Sequence, residues 1–174
     1  VRLFVGVTPP PAVLEVLRRL DRPDVPGLRW TTPEQWHVTL RFLGEVADAD
    51  GVADSLGAVP AALRAAGAPP TVAVLGPALA WFPGRRVLQV PVAGLDPPAR
   101  AVARATASWS GGDEPAAFTG HLTLARMRGQ RRGPARLAGA GVESSWTVEQ
   151  IELVSSTPGP GGSRYRVIAA VPIT

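Results

Sequence analysis

The chain has 174 residues, 45% of them hydrophobic, which suits one domain with its own core. Cysteine is absent, which excludes disulfides, thiol catalysis and Cys-type zinc sites, and no apolar run approaches the ~18 residues of a membrane span. The formal net charge is +4 and all 18 basic residues are Arg, whose fork of donors suits phosphate. The balance fits an anionic partner such as RNA, or a solvated Arg-rich surface.

Residues 2–8 read as an opening strand rich in β-formers, running into Pro9, Pro10 and Pro11. This is not a secretory leader, and with no cysteine it sets the expectation of a cytoplasmic protein. Residues 11–20 have apolar side chains at 13, 14, 16, 17 and 20, the spacing of a helix with proline in its first turn. After a connector, 28–30 is a short strand and 32–35 a turn or short helical step. A strand follows over 36–43, closed by Gly44. Residues 49–67 read as a helix that Pro60 kinks or splits. Strands are expected over 71–75 and 86–92, with a turn at Trp81 to Gly84 between them. A helix over 97–109 and a loop over 110–115 lead to a strand from Phe118 to Met127. Residues 128–141 are rich in Arg and Gly and read as a short helix or a mobile loop. Two alternating strands, 147–155 and 164–173, close the chain around a glycine-rich turn.

The two histidines of the chain stand in matching contexts, His37-Val38-Thr39-Leu40 and His121-Leu122-Thr123-Leu124, 84 positions apart. On a strand, alternate side chains share a face. Each stretch therefore shows an imidazole and a hydroxyl to one side and buries Val or Leu on the other. One motif per half suggests a duplicated unit, although no further repeat is visible. Histidine has an ordinary pKa of ~6.5, so a pair can hold one neutral and one protonated ring near neutral pH. Such a pair takes a proton from a nucleophile and gives one to a leaving oxygen. The threonine hydroxyls suit the non-bridging oxygens of a phosphate. Two histidines, with only Glu34 and Glu45 nearby, make a thin metal site, and a Ser-His-Asp triad would leave the second motif unused. No phosphate-binding GxxxxGK[ST] loop exists.

The paired motif resembles the signature of the 2H phosphoesterase superfamily. The stretches around it, Arg2 to Val7, Leu28 to Trp30, His37 to Glu45, His121 to Arg126 and Ser155 to Val167, resemble the RNA 2',3'-cyclic phosphodiesterase (2'-5' RNA ligase) family over nearly the full length. The resemblance implies an α+β, two-lobed, pseudo-symmetric fold in which antiparallel sheets face a central cleft with helices outside, residues 1–174 forming a single domain of two similar lobes. It implies metal-independent hydrolysis of RNA 2',3'-cyclic phosphate ends to a 2'-phosphate, without a cofactor. His37 would be the proton donor and His121 the acceptor, with Thr39 and Thr123 on the phosphate oxygens. The expected partner is RNA with cyclic phosphate ends, tRNA fragments among them, or cyclic nucleotides, bound by a monomer. The alternatives are a reversible 2'-5' RNA ligase acting on tRNA halves and a non-catalytic nucleotide- or RNA-binding module.

Four further residues are substrate-binding candidates. Arg126 stands five residues after His121, an odd offset that faces it away on a regular strand. A bulge or strand end would swing it to the phosphate, and the resemblance favours that role. Phe42 has the same offset from His37, which favours the core over the substrate. Arg41 shares parity with His37 and Thr39, a cleft-lining position. Tyr165 stacks on a base or packs. Gly120 stands where proline often precedes the second histidine in this family, which gives the backbone more freedom there. Arg128, Arg131, Arg132 and Arg136 form the expected basic rim, or else a solvated charge cluster.

Overall fold

The computed structural model describes residues 1–109 and 117–174; the loop expected at 110–115 lies outside them. The chain runs β1 (Arg2–Val7), α1 (Pro11–Arg18), β2 (Leu28–Trp30), β3 (Val38–Glu45), α2 (Ala49–Leu56), α3 (Val59–Ala65), β4 (Val72–Leu75), β5 (Ala80–Trp81), β6 (Val87–Ala93), α4 (Asp96–Ala105), β7 (His121–Met127), β8 (Ser144–Thr147), β9 (Gln150–Thr157) and β10 (Arg164–Pro172). Short 3₁₀ turns occupy 33–35, 107–109 and 135–137. Among the described residues no helix is long and apolar enough to cross a membrane.

The strands are ordered β10-β9-β1-β3-β7-β6-β4-β8, with β2 added on β7 and β5 on β6. Every pairing is antiparallel. Reading outward from β3 gives β1, β9, β10; reading outward from β7 gives β6, β4, β8. The two motif strands meet at one residue pair, Val38 with Leu122. So narrow a seam lets the halves curl toward each other, the α+β arrangement of antiparallel halves that the resemblance implies. One face of both halves is apolar: Leu3, Val5, Val38, Leu88, Val90, Leu122, Ile151 and Leu153 are fully buried. Val13 and Leu17 of α1, Val52 and Leu56 of α2, Val59 of α3 and Val102 of α4 join the same core. The opposite face carries the motif side chains.

Several boundaries differ from the expected ones for local reasons. The 49–67 helix splits at Gly57-Ala58, and Pro60 sits in the first turn of α3, where its missing N–H costs nothing. The strand expected over 147–155 is two strands. β8 pairs with β4 in one half, whereas β9 pairs with β1 in the other. The apolar positions Trp146 and Val148 change parity at Ile151 and Leu153, and the polar pair Glu149-Gln150 between them marks that crossing. β3 continues through Gly44, which has φ 73°, to Glu45. The 128–141 stretch holds one 3₁₀ turn, Ala135–Leu137.

Candidate active site

His37 precedes β3 directly and His121 opens β7, on either side of the seam. Each imidazole is oriented in the same way. Nδ1 lies 2.8 Å from the carbonyl of the residue two before it, Gln35 for His37 and Thr119 for His121. A carbonyl only accepts, so Nδ1 carries hydrogen in both rings and Nε2 is left as the working nitrogen. The hydroxyl of Thr39 lies 3.1 Å from Nε2 of His37. Both histidines and both threonines line one cleft of about 490 Å³.

The ring environments differ. Phe4 stacks on His37 with centroids 4.6 Å apart, and Tyr165 meets the same ring edge-on at 4.9 Å. On the other side Phe82 meets His121 edge-on at 4.8 Å. Burial among its aromatic neighbours pushes the His37 pKa below the ordinary histidine value; the Gln35 hydrogen bond opposes this, while the charges of His121 and Arg126 add to it. The free protein therefore holds His37 mainly neutral at neutral pH.

Arg126 reaches the cleft because β7 bulges. Leu88 pairs with Ala125 but Gln89 with Thr123, so Leu124 is an extra residue, and Leu124 and Ala125 are both buried. Parity reverses there, and Arg126 rejoins the face of His121 and Thr123. Thr31 fixes the bulge: its N–H and hydroxyl reach the Leu124 carbonyl at 2.8 and 2.9 Å, and Trp36 Nε1 donates to that hydroxyl at 3.0 Å.

The same slip occurs in β3, where Val5 pairs with Arg41 but Gly6 with Thr39, leaving Leu40 as the extra residue. This corrects two expectations. Arg41 does not line the cleft: it is buried on the helix side, 7% exposed, where Nη1 donates to the Ala103 carbonyl and to Thr106 Oγ1 at the end of α4. Phe42 takes the cleft position instead of packing in the core. It is 51% exposed, with the Arg2 guanidinium 5.0 Å from its ring centre. Phe42 in one half and Arg126 in the other thus hold equivalent positions. Tyr165 lines the cleft as well.

Gly120 does not loosen the second motif. Its carbonyl accepts from Val92 N–H at 2.9 Å, and a Cβ there would lie 2.1 Å from the Val92 carbonyl oxygen. The strand contact, not backbone freedom, is what glycine permits.

Sequence reasoning missed Arg2, Phe4, Arg29, Thr31 and Gln35, all of which line the cleft. Arg2 and Phe4 share a face of β1, but nothing local shows that β1 lies beside β3. Arg29 Nη1 donates to the Gly161 carbonyl at 2.7 Å, and Gln35 Nε2 donates to the Ser163 carbonyl at 2.9 Å, tying the β9–β10 turn over the cleft edge. Among the described residues no carboxylate lines the cleft. Among the described residues no group of three or more His, Cys, Asp or Glu side chains converges as a metal site.

A family model described as LigT-like phosphoesterase matches residues 5–76, which include the first motif. The structure is similar to that of TT0787 from Thermus thermophilus, with 27% identity, a TM-score of 0.75 and coverage of 99% of this chain and 98% of that one. It is also similar to Escherichia coli LigT in complex with NADP+ (24% identity, TM-score 0.73, 99% and 97% covered) and with 3'-AMP (22%, 0.67, 99% and 97%). No curated protein sequence matches the chain.

Proposed function

We propose that the chain is a LigT-like phosphoesterase of the 2H superfamily acting on phosphodiesters, and that its reaction is the hydrolysis of RNA 2',3'-cyclic phosphate ends to 2'-phosphates. The observation that carries this reading is the pair of imidazoles in one cleft, each with Nδ1 held by a carbonyl and Nε2 left to work. Two proton-transfer groups facing one space are what a displacement at phosphorus needs: one for the attacking water, one for the leaving oxygen.

In this mechanism His121 Nε2 takes a proton from water as the water oxygen bonds to phosphorus. The bond from phosphorus to the 3' oxygen breaks, and His37 Nε2 gives that oxygen its proton. Thr39, Thr123 and Arg126 hold the non-bridging oxygens, where charge rises in the transition state. His37 is mainly neutral in the free protein, so the donor role needs a proton that the substrate helps to hold. The anionic phosphodiester stabilises the imidazolium beside it and raises its pKa. Phe42 and Tyr165 offer aromatic faces to the nucleoside. A protein of the same fold crystallises with 3'-AMP and with NADP+, which supports a nucleotide end as the group bound.

The test is turnover of a nucleoside 2',3'-cyclic phosphate in EDTA. Undiminished hydrolysis supports the two-histidine reaction, and loss of activity with the chelator contradicts it. Offering a 5'-hydroxyl RNA together with the cyclic end reports ligation through a joined product. Nucleotide binding without any turnover would instead mean a binding module.

A further inference from the structure

The arginines are not spread evenly over the molecule. Three segments meet at one end of the cleft: 25–33 around β2, 86–95 through β6, and 118–133 through β7, since β7 pairs with both β2 and β6. Together they contain Arg29, Arg86, Arg126, Arg128, Arg131 and Arg132 and no Asp or Glu. Among the described residues the salt bridges are Val1 with Glu45 and Arg18 with Glu15, so none of these six has a carboxylate partner.

The six stand on adjoining strand and turn positions, a row along this end of the cleft rather than a scatter over the fold. Arg29 and Arg126 pair across the β2–β7 ladder and both line the cleft. Beyond them, Arg128 N–H donates to the Gly27 carbonyl at 2.8 Å, and the Arg131 side chain lies across Gly27, its Cδ 3.0 Å from where a Cβ would stand. On the other flank Arg86 donates to the Gly129 carbonyl at 2.7 Å and to Gln130 Oε1 at 3.3 Å. The 128–133 turn is held in place. Gly133 N–H donates to the Arg85 carbonyl at 2.7 Å, Trp81 Nε1 donates to the Pro134 carbonyl at 3.0 Å, and Gly133 sits so close on the Trp81 ring that any Cβ would lie 2.1 Å from it. The turn read from sequence as a short helix or a mobile loop is thus a fixed platform, with Arg128, Arg131 and Arg132 exposed on it.

We propose that this row is a track for the RNA strand on the 5' side of the cyclic end, so that the preferred substrate is an oligoribonucleotide rather than a mononucleotide. The inference rests on the function proposed above. The end group occupies the cleft, and the only covalent continuation of a 3'-terminal cyclic phosphate is the strand leading to its 5' side. Each backbone phosphate of that strand carries one negative charge. Uncompensated guanidiniums on a fixed surface bind such a series and release its counterions.

The experiment compares a mononucleoside 2',3'-cyclic phosphate with an RNA of about eight nucleotides ending in the same group, over a range of salt, in the wild type, in Arg131→Gln/Arg132→Gln and in Arg64→Gln. Arg64, on α3, lies in none of these segments and is the control. The wild type is expected to show a KM for the oligomer at least tenfold lower than for the mononucleotide and a steeper fall with salt. The double variant is expected to lose most of that advantage, with the log–log salt slope reduced by about 0.7 for each phosphate contact removed, while its mononucleotide kcat/KM is unchanged. Equal KM and equal salt dependence for the two substrates in the wild type would overturn the track. So would an Arg64→Gln effect as large as that of the double variant. If no cyclic phosphate is turned over at all, the proposed reaction fails. The track is then judged by anisotropy of a labelled octamer bearing a 2'-phosphate, whose affinity must still exceed that of the mononucleotide and drop in the double variant.

Discussion

Val38 and Leu122 pair across the seam between β3 and β7. Each is the second residue of a His-x-Thr-x motif, and each is fully buried. Their pairing sets His37 with Thr39, and His121 with Thr123, on the opposite face, on either side of the seam. The two motif strands share a bulge: each slips by one residue after its threonine. Where the halves differ, the difference is chemical, with Phe42 opposite Arg126 and Arg41 opposite Ala125.

His37→Ala and His121→Ala are each expected to lower kcat on a cyclic phosphate by about 10²- to 10⁴-fold. Among the described residues neither ring carries a structural hydrogen bond beyond its own carbonyl and, for His37, Thr39. Thermal unfolding should therefore stay close to wild type in His121→Ala and fall modestly in His37→Ala, whose ring packs on Phe4 and Tyr165, and circular dichroism should show the same fold in both.

The two parity reversals make opposite predictions for two arginines. Arg126→Ala removes an exposed cleft cation and should lower kcat/KM by about tenfold or more, the worth of one charge-assisted hydrogen bond, while leaving stability unchanged. Arg41→Ala strips the end of α4 of a buried donor and should cost about 2–3 kcal/mol of stability, read from urea unfolding. Activity lost in Arg41→Ala at full stability would contradict the geometry.

Thr31→Val keeps the shape but removes the hydroxyl that serves the Leu124 carbonyl and Trp36 Nε1. The buried indole N–H is left without its partner, at a cost of about 1–3 kcal/mol. With the β7 bulge less firmly held, kcat/KM should fall more than in a surface control, and Arg126→Ala should cost less in this background than in the wild type.

Burial depresses the His37 pKa, and the sign of the pH effect follows. Between the ordinary value near 6.5 and the lower folded value, the unfolded chain binds the proton that the folded chain refuses. Stability therefore decreases as pH falls through that window and is restored above it. With two histidines in the chain, NMR titration of the imidazole carbons gives two curves. His37 should titrate below the ordinary value, and its curve should move upward in His121→Ala and Arg126→Ala, which remove charges that depress it. An oligonucleotide phosphate in the cleft should also move it upward.

Much of this architecture was legible in the chain. The motif pair pointed to the candidate site, because on a strand alternation fixes which side chains share a face. Alternation failed where the strands bulge. Arg41 and Phe42 exchanged places because Leu40 is an extra residue, a feature set by pairing with β1 that leaves no local signature. Arg126 could be expected at the phosphate only by invoking such a bulge, and the residue that holds it, Thr31, lies 92 positions from Thr123 and follows a three-residue strand. Phe4, Arg29 and Gln35 were missed for the same reason. Their roles come from which strands and turns are neighbours, and long-range pairing is not written in a local pattern. The crossing between β8 and β9 left only a slight trace, a change of apolar parity between Val148 and Ile151, and which strands the two pieces join is a matter of long-range pairing.

The most direct measurement is the position of the phosphate in the product of a nucleoside 2',3'-cyclic phosphate. With His37 giving its proton to the 3' oxygen and His121 activating water, the product is the 2'-phosphate, and His37→Ala should recover activity on an analogue whose 3' leaving group needs no proton while His121→Ala should not. A 3'-phosphate product, or the reverse pattern of recovery, would contradict the assignment of the two histidines.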